Sequence, residues 1–221
     1  MTEFLARLDV DGILELALRI VAVFVCIVIH EVSHGLAAYK LGDPTAKEGK
    51  RLSLNPIRHI DPFGLLMMVV VGFGWAKPVP VNPQHFKKPK SGMAMTALAG
   101  PLSNFILAFI TALIYNALVA VSIRSGYSEG LYWLALFFYM TTVLSIGLGI
   151  FNLIPFPPLD GSKILSAVLP EKLYFRIMDY ERYGMFILLI VLWFGFLDRP
   201  LFAALRFVQN IVFGATGFLL P

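Results

Sequence analysis

Charged residues and cysteine are both scarce in this sequence. Asp, Glu, Lys and Arg together make up 14% of the 221 residues, whereas AVILMFWYC make up 58%, and the mean hydropathy is +0.77. A typical soluble globular domain carries about 25% charged residues, so this composition excludes that class. The single cysteine, Cys26, cannot form an internal disulfide, and we expect it to pack as a small apolar residue.

We also expect no cleavable signal peptide. The first twelve residues carry Glu3, Arg7, Asp9 and Asp11 instead of a basic region followed by a short apolar one. There is no internal repeat and no low-complexity tract. We therefore expect a single membrane-embedded domain over residues 1–221, with no soluble domain appended.

Long uncharged apolar segments are abundant, and several exceed the roughly 18 residues that indicate a membrane span. They predict an all-α polytopic membrane protein with about five transmembrane helices and a short β-hairpin or re-entrant membrane-associated segment. The predicted helices cover about 12–40, 92–123, 131–155, 184–197 and 201–220.

The connection over 44–90 is predicted to be a strand and re-entrant region. Thr45–Asn55 is interpreted as short strands, and Phe63–Trp75 is too short to cross a bilayer of about 30 Å. Trp75–Val81 alternates and contains prolines, which is typical of edge strands and hairpins. His59 and His85 also lie here, and we expect each to be a surface histidine.

The positive charge is distributed unevenly along the chain. Residues 40–90 hold nine Lys and Arg against three acidic residues, which leaves an excess of +6. The positive-inside rule places this connection in the cytoplasm and the N-terminus outside, in a multi-pass protein of a prokaryotic inner membrane. This distribution explains the net charge of +4, so we expect no nucleic acid among the partners.

The sequence His30-Glu31-Val32-Ser33-His34 lies inside the first apolar segment. Ionisable groups at membrane depth are costly unless they pair or bind metal, so they indicate function. Residues four apart share a helix face, which lets His30 and His34 reach one ion while Glu31 holds a water on it. This is the H-E-x-x-H spacing of zinc metalloproteases. The alternative is a pair of hydrogen-bonded histidines inside a helix bundle.

Two polar residues elsewhere leave alternatives open. Asp160 follows Pro155, Pro157 and Pro158, so it is either a third metal ligand on a rigid segment or the N-cap of a helix over Ser162–Leu169. Asn104 lies on an apolar helix, where an amide either joins helices or faces the site.

Several motifs together resemble the site-2 protease family of intramembrane zinc metalloproteases. Besides the H-E-x-x-H motif, they are Leu54-Asn55-Pro56, Asp61-Pro62-Phe63-Gly64, Gly74 to Pro80, Ala99-Gly100-Pro101 with Asn104, and Pro157-Pro158-Leu159-Asp160-Gly161. The match covers most of the chain. The chain resembles a small member of the family, without the PDZ or CBS domain of larger relatives.

The resemblance implies a specific set of site residues. His30, His34 and Asp160 would bind one Zn²⁺ per chain, and Glu31 would be the general base. Asn104 and Asn152 would lie near the active centre and support the substrate backbone or the transition state.

The expected function is therefore that of an intramembrane zinc metalloendopeptidase. It would cleave transmembrane helices of other membrane proteins, with the lipid bilayer as its surroundings and the active site towards the cytoplasm. Two alternatives from other classes are a divalent-metal transporter and an inactive zinc-binding membrane scaffold.

Overall fold

The structure is a computed structural model that describes residues 10–64 and 76–220. Seven α-helices lie wholly within these ranges, and no strand occurs in them. They are α1 Val10–Lys40, α2 Thr45–Glu48, α3 Pro89–Ser125, α4 Glu129–Asn152, α5 Asp160–Val168, α6 Glu171–Trp193 and α7 Asp198–Thr216.

Four of the helical segments are long and apolar enough to cross a membrane. They are α1, α3, α4 and the stretch Asp198–Leu219, which continues α7. Helix α6 has 23 residues, but its apolar part, Tyr183–Trp193, is shorter than a membrane span. The prediction of an α-helical multi-pass membrane protein is thus confirmed, with four candidate spans and one shorter apolar helix in place of five spans.

Helices α1 and α3 each carry a stripe of buried residues spaced four apart. Small side chains dominate both stripes, and small residues let helix backbones approach closely in a membrane. The stripe on α1 is Ala22, Cys26, His30, His34 and Ala38, and that on α3 is Gly92, Thr96, Gly100, Asn104, Ala108, Ala112, Asn116 and Ala120. The two histidines therefore occupy packing positions between helices.

Polar side chains on these helices form hydrogen bonds between the helices. The hydroxyls of Thr111 and Thr142 join α3 to α4 at 2.8 Å, and the Ser145 hydroxyl donates to the Asn104 carbonyl at 2.8 Å. Further along α3, the Asn116 amide donates to Thr216 at the end of α7. These bonds join α3 to α4 and α7.

The strand prediction for Thr45–Asn55 is wrong, because this stretch begins with helix α2. The buried carboxylate of Asp43 explains the helical start. Its Oδ1 accepts the backbone N–H of Thr45 at 3.0 Å and also the Thr45 hydroxyl, which fixes a turn before the helix.

The hairpin predicted over Trp75–Val81 is likewise absent from its described part, residues 76–81. Pro78 and Pro80 have no backbone N–H to donate to a neighbouring strand. The backbone N–H groups between and before them donate to residues that are not in a strand. The Lys77 N–H donates to the His59 carbonyl, and the Val79 N–H donates to Glu31. Most of the predicted re-entrant stretch Phe63–Trp75 lies outside the described residues.

Helix boundaries differ from the predictions mainly near the C-terminus. Helix α6 begins at Glu171 instead of Gly184, because the mixed-charge stretch before Gly184 is already helical. Helix α3 begins at Pro89, three residues before the predicted start at 92, and runs continuously through Pro101. Helix α4 ends at Asn152, three residues before the predicted end at Pro155.

Candidate metal centre

Two imidazole rings meet on the buried face of α1. His30 and His34 are one helical turn apart, and their ring centroids are separated by 4.5 Å. Their Nε2 atoms lie 3.0 Å from each other, and both side chains are buried. The helical spacing of the H-E-x-x-H motif thus brings both nitrogens to one point.

A carboxylate from a distant part of the chain reaches the same point. Asp160 is the first residue of α5, and its Oδ2 lies 3.1 Å from Nε2 of each histidine. Gly161 allows this position, because a Cβ there would lie 2.3 Å from the Leu153 carbonyl oxygen. The chain thus folds back tightly between α4 and α5 and presents Asp160 to α1.

The second ring nitrogen of each histidine contacts the α3 stripe. Nδ1 of His34 lies 2.7 Å from the carbonyl oxygen of Thr96, which can only accept, so Nδ1 carries the proton. The Asn104 amide nitrogen lies 3.1 Å from Nδ1 of His30. The Asn104 amide oxygen is buried and has no hydrogen-bond partner within the described ranges.

Gly100, between Thr96 and Asn104 on α3, makes room for the two rings. A Cβ at this position would lie 2.4 Å from Nε2 of His34 and 2.7 Å from Cε1 of His30. Any side chain larger than hydrogen would therefore push the imidazoles away from this helix. The stripe Thr96, Gly100 and Asn104 is a cradle that faces His30 and His34.

Glu31 faces a cavity beside this cluster. Its Oε2 accepts the backbone N–H of Val79 at 2.8 Å, which ties the carboxylate to the segment after the undescribed residues 65–75. The cavity has a volume of about 440 Å³ and is lined by α1, the end of α4, α6 and residues 59–64. Its polar lining includes His30, Glu31 and Asn152 among mostly apolar side chains.

The two asparagines considered at the sequence level occupy different places. Asn152 lines the cavity and donates from Nδ2 to the Leu148 carbonyl in its own helix, at 3.0 Å. Asn104 is 0% exposed and contacts His30 from the side of α3, away from the cavity lining described above.

Two other histidines lie outside the cluster. His59 is only 2% exposed, so the expectation of a surface residue is wrong for it, and its Nε2 is 2.8 Å from the Ser53 carbonyl. His85 is exposed, which confirms the prediction of a surface residue for it, and its Nδ1 lies 2.7 Å from Asp43 Oδ1. Neither contacts the cluster of His30, His34 and Asp160.

Two carboxyl groups, those of Asp160 and Asp43, have a pKa below its ordinary value. Burial raises the pKa of Asp160, but the contacts with His30 and His34 outweigh it and hold the pKa below its ordinary range. Burial also raises the pKa of Asp43, and bonds from Thr45, His85 and Asn82 outweigh it, lowering the pKa to about 2. Both groups are therefore ionised at neutral pH.

Comparison with known proteins identifies the family. A model of peptidase family M50 matches residues 18–132 and 119–194, which include His30, Glu31, His34 and Asp160. The chain belongs to peptidase family M50. This membership confirms the resemblance to the site-2 proteases, and the chain is a zinc-dependent metalloprotease of the multi-pass membrane type.

Individual proteins are also similar to this chain. YwhC of Bacillus subtilis, which carries a zinc metalloprotease name, is 40% identical over 174 residues, 78% of each protein. Zinc metalloprotease MJ0392 of Methanocaldococcus jannaschii is 32% identical over 71% of this chain and 35% of its own length. Rip2 of Mycolicibacterium smegmatis is 25% identical over 79% of this chain and 66% of Rip2. No solved structure matches the chain.

The cluster fits the zinc ion of M50 proteases. Two imidazole nitrogens and one carboxylate oxygen are zinc donors, with bond lengths of about 2.0–2.2 Å. In a tetrahedral site such donors lie about 3.3 Å apart, and the three observed separations are 3.0–3.1 Å. A small outward shift of the side chains would accommodate the ion.

Two residues beside the cluster were given no role in the site from the sequence, although Gly100 belongs to one of the family motifs. Thr96 contributes only its backbone carbonyl, which no side-chain motif can indicate, and Gly100 contributes the absence of a side chain. The four-residue spacing of small and polar residues along α3 was the available signal, since it marks one continuous packing face.

Proposed function

We propose that this metalloprotease cleaves peptide bonds within transmembrane helices of other membrane proteins. The observation that carries the proposal is the location of the cluster. His30, His34 and Asp160 converge on the buried face of a candidate span, and Glu31 opens beside them into a mostly apolar cavity. An apolar cavity between helices suits an apolar peptide segment that arrives from the bilayer.

Each residue of the cluster has a role in this proposal. His30, His34 and Asp160 would hold the zinc ion, which when bound would lower the pKa of a water molecule at the site and polarise the scissile carbonyl. Glu31 takes a proton from the attacking water and delivers it to the leaving amine. The Val79 amide positions the Glu31 carboxylate through its hydrogen bond.

Asn104 is proposed to position His30 and not to touch the substrate. A ligating histidine donates its other ring N–H to a fixed acceptor, which sets its tautomer and orientation. Turning the Asn104 amide by half a rotation brings its partnerless oxygen to Nδ1 of His30. The Asn104 oxygen then accepts the Nδ1–H of His30, as the Thr96 carbonyl accepts the Nδ1–H of His34.

Asn152 is proposed to act on the substrate side. It lines the cavity, and its amide nitrogen is already bonded to the Leu148 carbonyl, which fixes the side chain. In this orientation the amide oxygen can accept a backbone N–H of the bound peptide. An amide group is suited to this task because a peptide backbone offers donors and acceptors in every residue.

A helical substrate must unwind before cleavage, because its scissile carbonyl is bonded within the helix. The segment over residues 76–82 is a candidate for holding the unwound peptide, as added strands are held at sheet edges. It runs beside Glu31, and the Arg51 side chain fixes it through the carbonyls of Lys77 and Pro78.

The site is proposed to open towards the cytoplasm of a prokaryotic cell. The basic connection of residues 40–90 follows the end of α1 that carries the cluster, and the positive-inside rule favours this end on the cytoplasmic side. Water would reach the site from the same side.

The substrate class can be tested with two matched reporters. One carries an apolar single-span helix, and the other carries the same peptide length as a soluble loop. Purified protein reconstituted with zinc is expected to cut the first reporter inside its span, with the position read by mass spectrometry. Cleavage of the soluble reporter alone, or zinc transport into vesicles without any cleavage, would contradict the proposal.

A further inference from the structure

A second, polar cavity lies in the connection after α1, apart from the metal centre. It has a volume of about 290 Å³ and is lined mainly by the segment 49–60 together with Lys77. Its charged lining residues are all cationic: Lys50, Arg51, Arg58 and Lys77. None of the four forms an ion pair with any residue in the described ranges.

Arg51 shows why this cavity is suited to an anion. Its side chain is 9% exposed, and Nη2 donates to the carbonyls of Lys77 and Pro78. Its Nε is buried without a hydrogen-bond partner in the described part of the chain. A desolvated cation without a counter-ion is costly, so a bound anion would lower the free energy of this arrangement.

An apolar groove continues from the same segment. It has a volume of about 340 Å³ and is lined by Leu54 and Pro56 with a face of α1. Adjacent residues line the two cavities: Pro56 lines the groove, and Ile57 lines the cationic cavity. The α1 residues of the groove are Val21, Phe24, Val25, Val28 and Ile29.

The two cavities are arranged along the direction in which α1 crosses the membrane. Leu52, next to the cavity residue Arg51, packs against Gly35 of α1, and so does Val79, two residues after Lys77. The groove extends from Ile29 back to Val21, which is about 12 Å along the helix axis and deeper in the span. Leu54, which lines the groove, is 72% exposed, and Ile57, which lines the cationic cavity, is 75% exposed, as expected of side chains that face lipid.

We propose that the cationic cavity binds the phosphate headgroup of an anionic phospholipid, and that the groove holds one of its acyl chains. A phospholipid is the molecule whose charge and shape match both cavities, with an anion at the interface and an apolar chain towards the bilayer centre. Basic pockets at the cytoplasmic face of membrane proteins are suited to such headgroups. Free phosphate would satisfy the cations but leave the groove empty.

The test is lipid binding by the purified full-length chain, measured by native mass spectrometry in a neutral detergent. Phosphatidylglycerol and phosphatidylcholine with the same chains are titrated separately, and inorganic phosphate is titrated in a third arm. The parent is expected to retain one phosphatidylglycerol at concentrations where phosphatidylcholine does not bind. Binding of phosphate without the lipid, or equal binding of both lipids, would overturn the proposal.

A charge-matched pair of variants separates this site from general attraction between charges. The triple variant Lys50→Gln, Arg58→Gln, Lys77→Gln removes three cavity cations and leaves Arg51 to hold its segment. The control Lys40→Gln, Lys87→Gln, Lys88→Gln removes three exposed cations outside the cavity. Phosphatidylglycerol affinity is expected to fall about a hundredfold in the first and to remain near the parent value in the control. Equal losses in both would overturn the proposal.

The acyl-chain groove has its own uncharged variant. Val21→Trp fills the groove from an exposed position on α1 and changes no charge. Phosphatidylglycerol affinity is expected to fall at least tenfold. Unchanged lipid affinity would overturn the assignment of this groove, and a thermal unfolding scan of each variant checks that it is folded.

Discussion

At the scale of single residues, Asn104 is the position where geometry and motif suggest different roles. Its amide contacts His30 from α3 and is fully buried, so we expect it to support the metal ligand. Asn104→Ala should weaken zinc binding about 10- to 100-fold, as measured by competition with a chromogenic chelator. Asn104→Asp should retain most of the affinity, because a carboxylate oxygen can accept the Nδ1–H of His30.

A second buried asparagine on α3 provides the control for Asn104. Asn116 donates to Thr216 at 2.8 Å and lies far from the cluster along the helix. Asn116→Ala should reduce thermal stability, as loss of a buried hydrogen bond does, and leave zinc affinity unchanged. If both alanine variants bound zinc equally well, the positioning role of Asn104 would be wrong.

The residues that sequence reasoning found are those with a chemical signature. His30 and His34 stand out because ionisable groups are rare in apolar segments, and helical spacing alone places them together. Asp160 could not be placed by spacing, because its approach depends on how the prolines after α4 fold back. The residue pattern left a metal ligand and an N-cap as alternatives for Asp160, and the resemblance to a family favoured the ligand.

At the scale of elements, the close contact of α1 and α3 depends on Gly100. A methyl group there would lie 2.4 Å from the His34 ring, so the two helices would have to separate. Gly100→Ala should lower zinc affinity at least tenfold and destabilise the fold by about 1–3 kcal/mol, the usual cost of overpacking. Zinc competition and thermal unfolding measure the two effects.

Gly147→Ala on α4 is the matched control. The nearest atom to its added Cβ, on Leu205, is 3.8 Å away, which is ordinary contact. Alanine is the better helix former by up to about 1 kcal/mol, so this variant should be as stable as the parent and bind zinc normally. An unchanged zinc affinity in Gly100→Ala would contradict the cradle described for α3.

The connection between α1 and α3 should show acid sensitivity through Asp43. Its pKa is lowered to about 2, so its stabilising effect is complete above its ordinary value of 3.8 and is lost as pH falls through about 2. The free energy of unfolding of the parent should fall between pH 4 and pH 2 by about 1 kcal/mol more than that of Asp43→Asn, as thermal unfolding measures.

Asp11→Asn serves as the comparison for Asp43, since Asp11 is exposed in the first turn of α1. It should follow the parent over the same pH range. A parallel decline of the parent and Asp43→Asn would mean that the hydrogen bonds from Thr45, His85 and Asn82 do not stabilise the connection.

The helices could be predicted where long apolar segments determine them, but not where a capping hydrogen bond determines the helix start. Helices α1, α3 and α4 follow from long uncharged segments, and their observed ends lie within three residues of the predicted ones. The strand prediction is wrong at helix α2, because the decisive feature there is the hydrogen bond from the Thr45 N–H to the Asp43 carboxylate. The start of α6 was missed because charged residues can occupy a helix that extends beyond the apolar region.

At the scale of the whole molecule, the number of crossings decides where the C-terminus lies. Cys26→Ser gives a background without cysteine for single-cysteine labelling. Lys87→Cys should label from the cytoplasmic side, and Tyr127→Cys between α3 and α4 should label from the opposite side. If α6 crosses the membrane, Leu220→Cys labels with Lys87→Cys; if it does not, Leu220→Cys labels with Tyr127→Cys.

Labelling of Lys87→Cys and Tyr127→Cys from the same side would contradict the topology, because α3 separates these positions and is a candidate span.

The overall class followed from composition, since 58% AVILMFWYC residues leave a membrane protein as the remaining class. The cavity beside Glu31 could not be foreseen, because it forms between segments far apart in sequence.

The most direct test of the account compares the parent with Glu31→Gln and Asp160→Ala. Each is purified, its bound zinc is measured, and it is incubated with a single-span substrate whose products are identified by mass spectrometry. We expect zinc in the parent and in Glu31→Gln, cleavage only in the parent, and zinc affinity at least about 100-fold weaker in Asp160→Ala. Equal cleavage by the parent and Glu31→Gln, or full zinc occupancy in Asp160→Ala, would contradict the account.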